Sequence, residues 1–356
     1  VGILQGAGGS ARPVAPARVP LTEGQREIWM AHQLGDAPAC AFNEGLSLHL
    51  DGALDRAALA RALAQLVARH DALRMKIDRA GQHFEVLPPF APDLPVDDLS
   101  ADPEGGLAAL LDAEARSPVA ITEGAPVRLR LARLAEDRHV LVMTAHHIAV
   151  DGWSCNLLME DLAALYTAEV TGRPADLPEA PSFAAHAAAE GPMRAATRAF
   201  WAETLADPAP LPDLPTDAPR PAARSWRGAT ETVHIPAEVL KAARKAGAKQ
   251  GATLFATLMA ALQVTFGRLS GARDVVLAVP TAQQAGGEGR LVGHAVNMLP
   301  LRCPFDPDAP VADHLKAVSR AAMDAMAHGD ATFGQIVREL RSEERRVGKE
   351  CPSPCR

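Results

Sequence analysis

Two adjacent histidines near the middle of the chain have the strongest potential for chemistry. His146 and His147 close an apolar run, and Asp151 and Gly152 follow four and five positions after His147. An imidazole changes its protonation state near physiological pH, so it can take a proton from a reacting group and return it. His147 is therefore a candidate general base, although a purely structural histidine at this position is the alternative.

The elements around these histidines decide what they can reach. Val140 to Ala145 are apolar and partly β-branched, which predicts a buried strand that ends near His147. Neighbouring strand residues point to opposite faces, so His146 and His147 are not expected to bind one metal ion, and no HExxH or paired CxxC motif accompanies them. Ser154 lies outside a GxSxG elbow, which argues against a serine hydrolase.

Composition narrows the class of protein. The chain has 356 residues, enough for two domains or two lobes of one. A net charge of −7 without a long basic run argues against nucleic acid as a partner. No apolar segment has membrane-spanning length, and the N-terminus lacks the apolar core of a signal peptide. Five scattered cysteines fit a reducing cytoplasm.

Composition and runs of Gly and Pro divide the chain into a linker, two lobes with a bridge between them, and a C-terminal segment that is described below. Residues 1–18 are rich in Gly, Ala and Pro and predict a flexible linker. A Pro-rich bridge over 205–221 separates one lobe over 19–204 from a second over 222–340. Within these lobes we expect a strand with alternating leucines (Leu46, Leu48, Leu50), a helix capped by Asp55, a strand near Thr230 to Ile235, an apolar helix over Leu254 to Leu269, and strands over 274–279 and 292–302.

Five further segments, in order along the chain, also contain motifs. They are LTEGQREIWMAHQL, RHDALRMKI, Phe200-Trp201 with the later Leu214-Pro-Thr-Asp217, VGHAVNMLPLR, and His328-Gly-Asp-Ala-Thr-Phe333. Together with the HHxxxDGWS run of His146 to Ser154, they resemble the motifs of condensation domains of nonribosomal peptide synthetases, which belong to the HHxxxDG acyltransferases. Met75, Met298 and Gly329 depart from the usual family residues, but none of these changes removes a group that the chemistry needs.

The resemblance implies a fold and an activity. The fold is mixed α/β, with two lobes similar to chloramphenicol acetyltransferase that form a V around a tunnel. The activity is amide bond formation: an acceptor aminoacyl thioester attacks a donor acyl or peptidyl thioester. Donor and acceptor carrier proteins present both substrates on phosphopantetheine arms, the domain itself binds no cofactor, and an adenylation domain is the expected downstream neighbour.

The resemblance also assigns roles to residues. His147 acts as general base or positions the amine, and the Gly152 backbone N–H meets the developing oxyanion. Asp151 is a structural anion paired with an arginine, for which Arg74 is the first choice and Arg69 the reserve. Three further assignments complete the set: His146 and Trp153 are structural at the active site, and Ser154 and Asn297 line the substrate tunnel.

Other interpretations stay open. The HHxxxDG motif also serves ester-forming acyltransferases, and degraded copies serve as docking modules for carrier proteins. An epimerization domain is a third option, which the Gly152-Trp153-Ser154 run argues against. The opening motif hints at a polyketide–peptide hybrid, while donor, acceptor and stereochemistry are not encoded in any motif.

The C-terminal segment raises a separate question. The arginine- and aspartate-rich motif that closes the family's second lobe is absent, and the chain ends RSEERRVGKECPSPCR. RSEERRVGKEC resembles the translation of a sequencing-adapter oligonucleotide. We therefore expect residues 341–356 to be non-native, the second lobe to be incomplete and the chain to aggregate and be inactive as written.

Overall fold

The computed structural model describes residues 18–207, 213–219, 221, 225–226, 228–283, 289–304 and 306–347, with side chains up to residue 340. Of the predicted linker only Arg18 is described, and the side chains of the predicted non-native tail lie outside the described residues. In chain order the elements are β1 (Arg18–Pro20), α1 (Glu23–His32), α2 (Asp36–Cys40), β2 (Asn43–Asp51), α3 (Arg56–Arg69), a 3₁₀ turn (Asp71–Arg74), β3 (Met75–Ile77), β4 (His83–Val86), β5 (Val96–Asp98), α4 (Pro103–Ala115), β6 (Val127–Ala135), β7 (Arg138–His146), α5 (Gly152–Thr171), α6 (Phe183–Ala188), α7 (Ala195–Thr204), α8 (Ala237–Ala248), α9 (Leu254–Ser270), β8 (Val276–Ala282), β9 (Val296–Arg302), α10 (Val311–Ala327) and α11 (Phe333–Val347).

The chain divides into two compact units, each built from separate stretches of sequence. Unit 1 contains the described residues up to Thr22, Phe42–Ala189 and Arg290–Gly293. Unit 2 contains Glu23–Ala41, Glu190–Gly289 and the described residues from His294 onward. These boundaries differ from the predicted contiguous lobes over 19–204 and 222–340, because each unit includes a segment from the other half of the chain.

A four-stranded sheet forms the centre of unit 1, in the order β2-β7-β6-β5. Strands β2, β7 and β6 are antiparallel, and β5 runs parallel to β6. The predicted strand over Val140 to Ala145 is confirmed as β7, the most buried strand, with every residue from His139 to His146 buried. Such a continuous apolar run is expected of a strand with neighbours on both sides.

Helices pack against this sheet and against each other. Leucines of α4 pack on alternate residues of β6 and β7, including Leu134, Val140 and Val142. Helix α3 packs along α5. The predicted cap of α3 is confirmed, because the Asp55 carboxylate accepts a hydrogen bond of 2.9 Å from the backbone N–H of Ala58. The apolar stripe predicted for α3 is buried as well: Leu59, Leu63, Leu66 and Val67.

Unit 2 has a smaller strand layer. Strands β8 and β9 pair antiparallel, and residues of α9 and α10 pack with them in one core cluster that includes Val279, Leu301 and Val318. A second cluster joins α7 and α11 to β9 through Trp201, Leu299 and Ile336. The predicted apolar helix over Leu254 to Leu269 is confirmed as α9, and the strand predicted from residue 274 is β8.

One predicted strand is wrong. Residues 230–235 form no strand, and the side chains of Val233 and Ile235 are exposed. A period-two pattern creates a strand only where a neighbouring strand pairs with it, and none does so here among the described residues. Separately, no helix in the described part of the chain is long and apolar enough to cross a membrane.

Candidate functional site

The paired histidines lie where β7 ends and the chain turns into α5. His146 is the last residue of β7, residues 147–149 form a turn, and α5 begins at Gly152. Asp151 caps this helix: its Oδ1 accepts hydrogen bonds from the Ser154 backbone N–H at 2.8 Å and from the Ser154 hydroxyl at 2.7 Å. An aspartate at an N-cap satisfies an unpaired N–H and interacts favourably with the helix dipole. The Asp-Gly-Trp-Ser run is therefore a helix start.

His147 is held in one orientation by its own turn. Its Nδ1 lies 2.6 Å from the Val150 carbonyl oxygen and 3.5 Å from Oε1 of Glu44. Because a carbonyl oxygen only accepts hydrogen bonds, Nδ1 carries the hydrogen, and Nε2 is the basic nitrogen of the neutral ring. The side chain is 26% exposed, so the ring is neither buried nor fully solvated.

His146 has the opposite environment. It is completely buried, and its Nδ1 accepts a hydrogen bond of 3.1 Å from the backbone N–H of Ile148. Its ring stacks on Phe42 at a centroid distance of 6.1 Å. The two neighbouring histidines thus have different surroundings, as the alternation of a strand predicts. Among the described residues, no group of three or more His, Cys, Asp or Glu side chains could hold a metal ion.

Gly152 and Trp153 form the exposed first turn of α5. Both residues are exposed, and a side chain added at Gly152 would meet no atom within 4 Å. The backbone at Gly152 is therefore open to a reacting group. Trp153 leaves 49% of its surface exposed, so the indole does not pack into a core as a structural residue would.

The predicted ion pair between Asp151 and Arg74 is not formed. The Arg74 guanidinium instead donates to the backbone carbonyls of Val67 at 2.9 Å, Ala68 at 3.3 Å and Leu87. Two of these carbonyls belong to the last turn of α3, where a cation interacts favourably with the helix dipole. Sequence spacing gave no means to distinguish a carboxylate partner from carbonyls at a helix end.

The reserve partner, Arg69, binds a different aspartate of α5. Its Nε donates to Oδ2 of Asp161 at 2.7 Å, His70 Nε2 lies 3.1 Å from the same oxygen, and Arg290 donates to Oδ1. Burial alone raises the pKa of Asp161, but the hydrogen bond from Arg69 and the nearby positive charges lower it below its ordinary value. Burial also lowers the pKa of His70 to about 4, so this imidazole is neutral at physiological pH.

The rest of the Arg69–Arg74 segment is structural too. The Asp71 carboxylate accepts hydrogen bonds from the Ser182 hydroxyl at 2.6 Å and from the backbone N–H groups of Phe183 at 2.8 Å and Ala184 at 3.1 Å. These contacts fix the first turn of α6. The RHDALR motif therefore fastens helices and contributes no group near His147.

Ser154, for which a place in the substrate tunnel stays a prediction, lies in a network of internal hydrogen bonds. It is fully buried, its single hydroxyl hydrogen lies between two acceptors, Asp151 Oδ1 at 2.7 Å and the Gly293 carbonyl at 2.9 Å, and its oxygen accepts from the Gly293 N–H at 3.0 Å. A Cβ at Gly293 would lie 1.9 Å from the ring of Phe183, so only glycine fits there. These contacts fasten the Arg290–Gly293 segment within unit 1.

Asn297 likewise has a structural environment in unit 2. Its Nδ2 donates to the Gly329 carbonyl at 3.2 Å and the Ala331 carbonyl at 2.7 Å. Its Oδ1 accepts from the backbone N–H groups of Met298 at 2.9 Å and Phe333 at 3.1 Å. The side-chain amide is buried and holds the turn before α11, and its role in a substrate tunnel stays a prediction.

Sequence reasoning missed Glu44, which lies beside His147. Strand β2 pairs with β7 so that Asn43 is opposite His146 and Glu44 is opposite Ala145. The only local signal was that Glu44 begins the alternating run of Leu46, Leu48 and Leu50. Its neighbour across the sheet depends on strand order and register, which the sequence does not specify.

Comparison with known proteins shows which protein family and which synthetases this chain is similar to. A family model described as "Condensation domain" matches residues 16–349. Chondramide synthase from Chondromyces crocatus is 34% identical over 346 residues, which cover 93% of this chain and 9% of that protein. Phosphinothricin tripeptide synthetase from Streptomyces viridochromogenes is 33% identical over 347 residues, which cover 93% of this chain and 32% of that protein. The chain thus spans a small part of these synthetases.

Solved structures give the same result for the fold. The first condensation domain of the calcium-dependent antibiotic synthetase, in complex with a substrate analogue, superposes with a TM-score of 0.76 at 28% identity, covering 91% of this chain and 78% of that chain. The X-domain from teicoplanin biosynthesis, in complex with OxyB, has a TM-score of 0.81 at 26% identity, covering 94% and 77%. The predicted mixed α/β fold is confirmed. The family match extends past residue 340, and the non-native origin of the tail stays a prediction.

Proposed function

The chain belongs to the condensation domain family, and on that premise we propose that it forms an amide bond between two thioesters. The amine of an acceptor aminoacyl thioester attacks the carbonyl carbon of a donor acyl or peptidyl thioester. The new C–N bond forms, the donor C–S bond breaks, and the donor thiol leaves with a proton. Phosphopantetheine arms of two carrier proteins present the substrates, and the reaction takes place in the cytoplasm next to an adenylation domain.

The orientation of His147 is the observation that carries this proposal. With Nδ1 donating to the Val150 carbonyl, Nε2 is the atom that accepts a proton from the attacking amine. The exposed first turn of α5 at Gly152 supports a second role, because N–H groups at a helix N-terminus stabilise a developing oxyanion. A thioester is already activated, so holding both reactants in place supplies most of the remaining rate enhancement.

Replacement of His147 tests the proposal. Because the 356-residue chain is expected to be inactive as written, the experiment incubates the full-length protein with a donor carrier and an acceptor carrier loaded from a panel of acyl and aminoacyl groups, and intact-protein mass spectrometry follows the acceptor. His147→Ala should reduce product formation by a factor on the order of 100 or more, as expected for loss of a general base. His49→Ala, which removes an exposed histidine from β2, is the matched control. If His147→Ala kept the turnover of the control, a docking module without chemistry would be the better interpretation.

A further inference from the structure

Glu44 is the carboxylate that the structure places against the His147 ring. Its Oε1 lies 3.5 Å from Nδ1, and the Glu44 side chain is 38% exposed. We propose that Glu44 is a positioning residue for His147, which holds the hydrogen on Nδ1 and stabilises the imidazolium that forms when Nε2 accepts a proton. The inference rests on the proposed function, because it assumes that His147 is the base.

Two oxygen atoms lie near Nδ1, a hydrogen-bonded carbonyl and a carboxylate at ion-pair distance, and they contribute differently. The Val150 carbonyl is closer, at 2.6 Å, and fixes the direction of the ring. A carbonyl carries only a partial charge, whereas the Glu44 carboxylate brings a full negative charge next to the ring. A negative charge at this distance favours the protonated imidazole over the neutral one. Val150 therefore orients the ring, and Glu44 favours its protonation.

The residues next to Glu44 on β2 do not compete for this role. The Asn43 amide donates to three carbonyls at the end of α4, those of Glu114 and Ala115 at 3.3 Å and of Ser117 at 2.9 Å. Gly45 has no side chain. Within the described part of the chain, the ion pair of Glu44 is the one with His147. A half-exposed glutamate on an edge strand thus directs its charge to one ring nitrogen.

Three other titratable groups lie close to His147 in sequence, and each has a described environment. Asp151 is ionisable, but its Oδ1 already accepts hydrogen bonds from the backbone and side chain of Ser154. Burial, and then the charges of Glu44 and Asp151, raise the pKa of the Cys155 thiol to about 11, so this thiol stays neutral at working pH. His146 uses its Nδ1 as an acceptor for the Ile148 N–H. Glu44 is therefore the group whose replacement changes the charge next to the ring with the least effect on packing.

Nuclear magnetic resonance of histidine tests this role without any substrate. The chain is labelled with ¹⁵N-histidine, and the His147 ring signals are assigned by their loss in His147→Gln. The wild type should show the Nδ1–H tautomer. Glu44→Gln should lower the pH midpoint of the His147 titration by about half to one unit. This shift is smaller than the shift that a buried ion pair would give, because both side chains are partly solvated.

Two control variants make the result specific. Asp51→Asn removes the same charge from the opposite end of β2, next to Arg138, and should leave the midpoint unchanged. Glu44→Asp retains the charge and should stay close to the wild type, provided that thermal melting shows both proteins folded. An unchanged midpoint in Glu44→Gln, or an equal shift in Asp51→Asn, would overturn the proposal.

Kinetics then separate this inference from the proposed function. With loaded carriers, Glu44→Gln should lower kcat about three- to tenfold, the change that half to one pH unit represents, and move the acid limb of the pH profile to lower pH with KM nearly unchanged. If the pH midpoint of His147 is the same in Glu44→Gln as in the wild type while His147→Ala is inactive, only the inference fails. If His147→Ala retains activity, the proposed function fails, whatever the titration shows.

Discussion

Three histidine–carboxylate pairs lie in the described part of unit 1, and two of them have contrasting environments. His70 Nε2 lies 3.1 Å from Asp161, with side chains 2% and 1% exposed. His147 Nδ1 lies 3.5 Å from Glu44, with side chains 26% and 38% exposed. Two arginines accompany the buried pair, Arg69 and Arg290, and they make up for the missing solvent around Asp161.

This difference determines what each histidine can do. Burial lowers the pKa of His70 to about 4, so the imidazole stays neutral and serves as a fixed hydrogen-bond donor. His147 is close to solvent and to the exposed first turn of α5, so it can exchange a proton with a reacting group. A histidine near a carboxylate is thus not evidence for catalysis by itself, and exposure separates the two cases.

The largest expected effect that distinguishes the pairs is on stability. Asp161→Asn removes the buried charge that Arg69 and Arg290 share, and although Arg290 keeps its ion pair with Glu160, this should lower the free energy of unfolding by roughly 3–5 kcal/mol. Urea denaturation followed by circular dichroism measures this change. Asp98→Asn breaks an exposed ion pair with Arg133 and should leave stability nearly unchanged. A small effect for Asp161→Asn would mean that the buried pair is no more important than a surface pair.

A second prediction concerns the pH dependence of stability. Because the folded-state pKa of His70 is about 4, the unfolded chain binds a proton below about pH 6.5 that the folded chain does not. Stability should therefore fall by roughly 2–3 kcal/mol as the pH decreases from 6.5 to 4, and His70 should add no further loss below that window. Asp161 affects stability at lower pH. Because its pKa is lower in the folded chain than in the unfolded chain, its contribution to stability is present above the unfolded pKa and is lost as the pH falls towards the folded pKa.

His70→Gln isolates the contribution of His70 to the pH dependence of stability, because all other titratable groups are shared with the wild type. The glutamine Nε2 can still donate to Asp161. Denaturation at several pH values should show a shallower decline for His70→Gln than for the wild type between pH 6.5 and 4. Parallel curves for the two proteins would contradict a neutral, buried His70.

The smallest expected effect separates a helix cap from a buried ion pair. Asparagine caps a helix nearly as well as aspartate, so Asp151→Asn should cost less than Asp151→Ala, in which loss of the cap lowers the free energy of unfolding by about 0.5–2 kcal/mol. Thermal denaturation compares the two variants. A loss of several kcal/mol in Asp151→Asn would instead support the charged partner that the family resemblance implied.

Local sequence patterns were sufficient for much of the fold. The buried strand β7, the Asp55 cap of α3 and the apolar helix α9 follow from periodicity and capping, and the structure confirms them. The same reasoning failed for residues 230–235, where a strand-like pattern has no neighbouring strand. The internal hydrogen bonds of Ser154 and Asn297 were not predicted either, because their partners are distant in sequence.

The sequence by itself determined that His147 follows a buried strand and that Asp55 caps a helix. These features depend on residues within a few positions, where one or two contacts set the backbone. Only the tertiary structure decided the partners: Arg69 meets Asp161 across 92 positions, and Ser154 meets Gly293 across 139. Glu44 reaches His147 because β2 and β7 pair in one register. Register and long-range pairing arise from packing of the whole unit, so no local spacing encodes them.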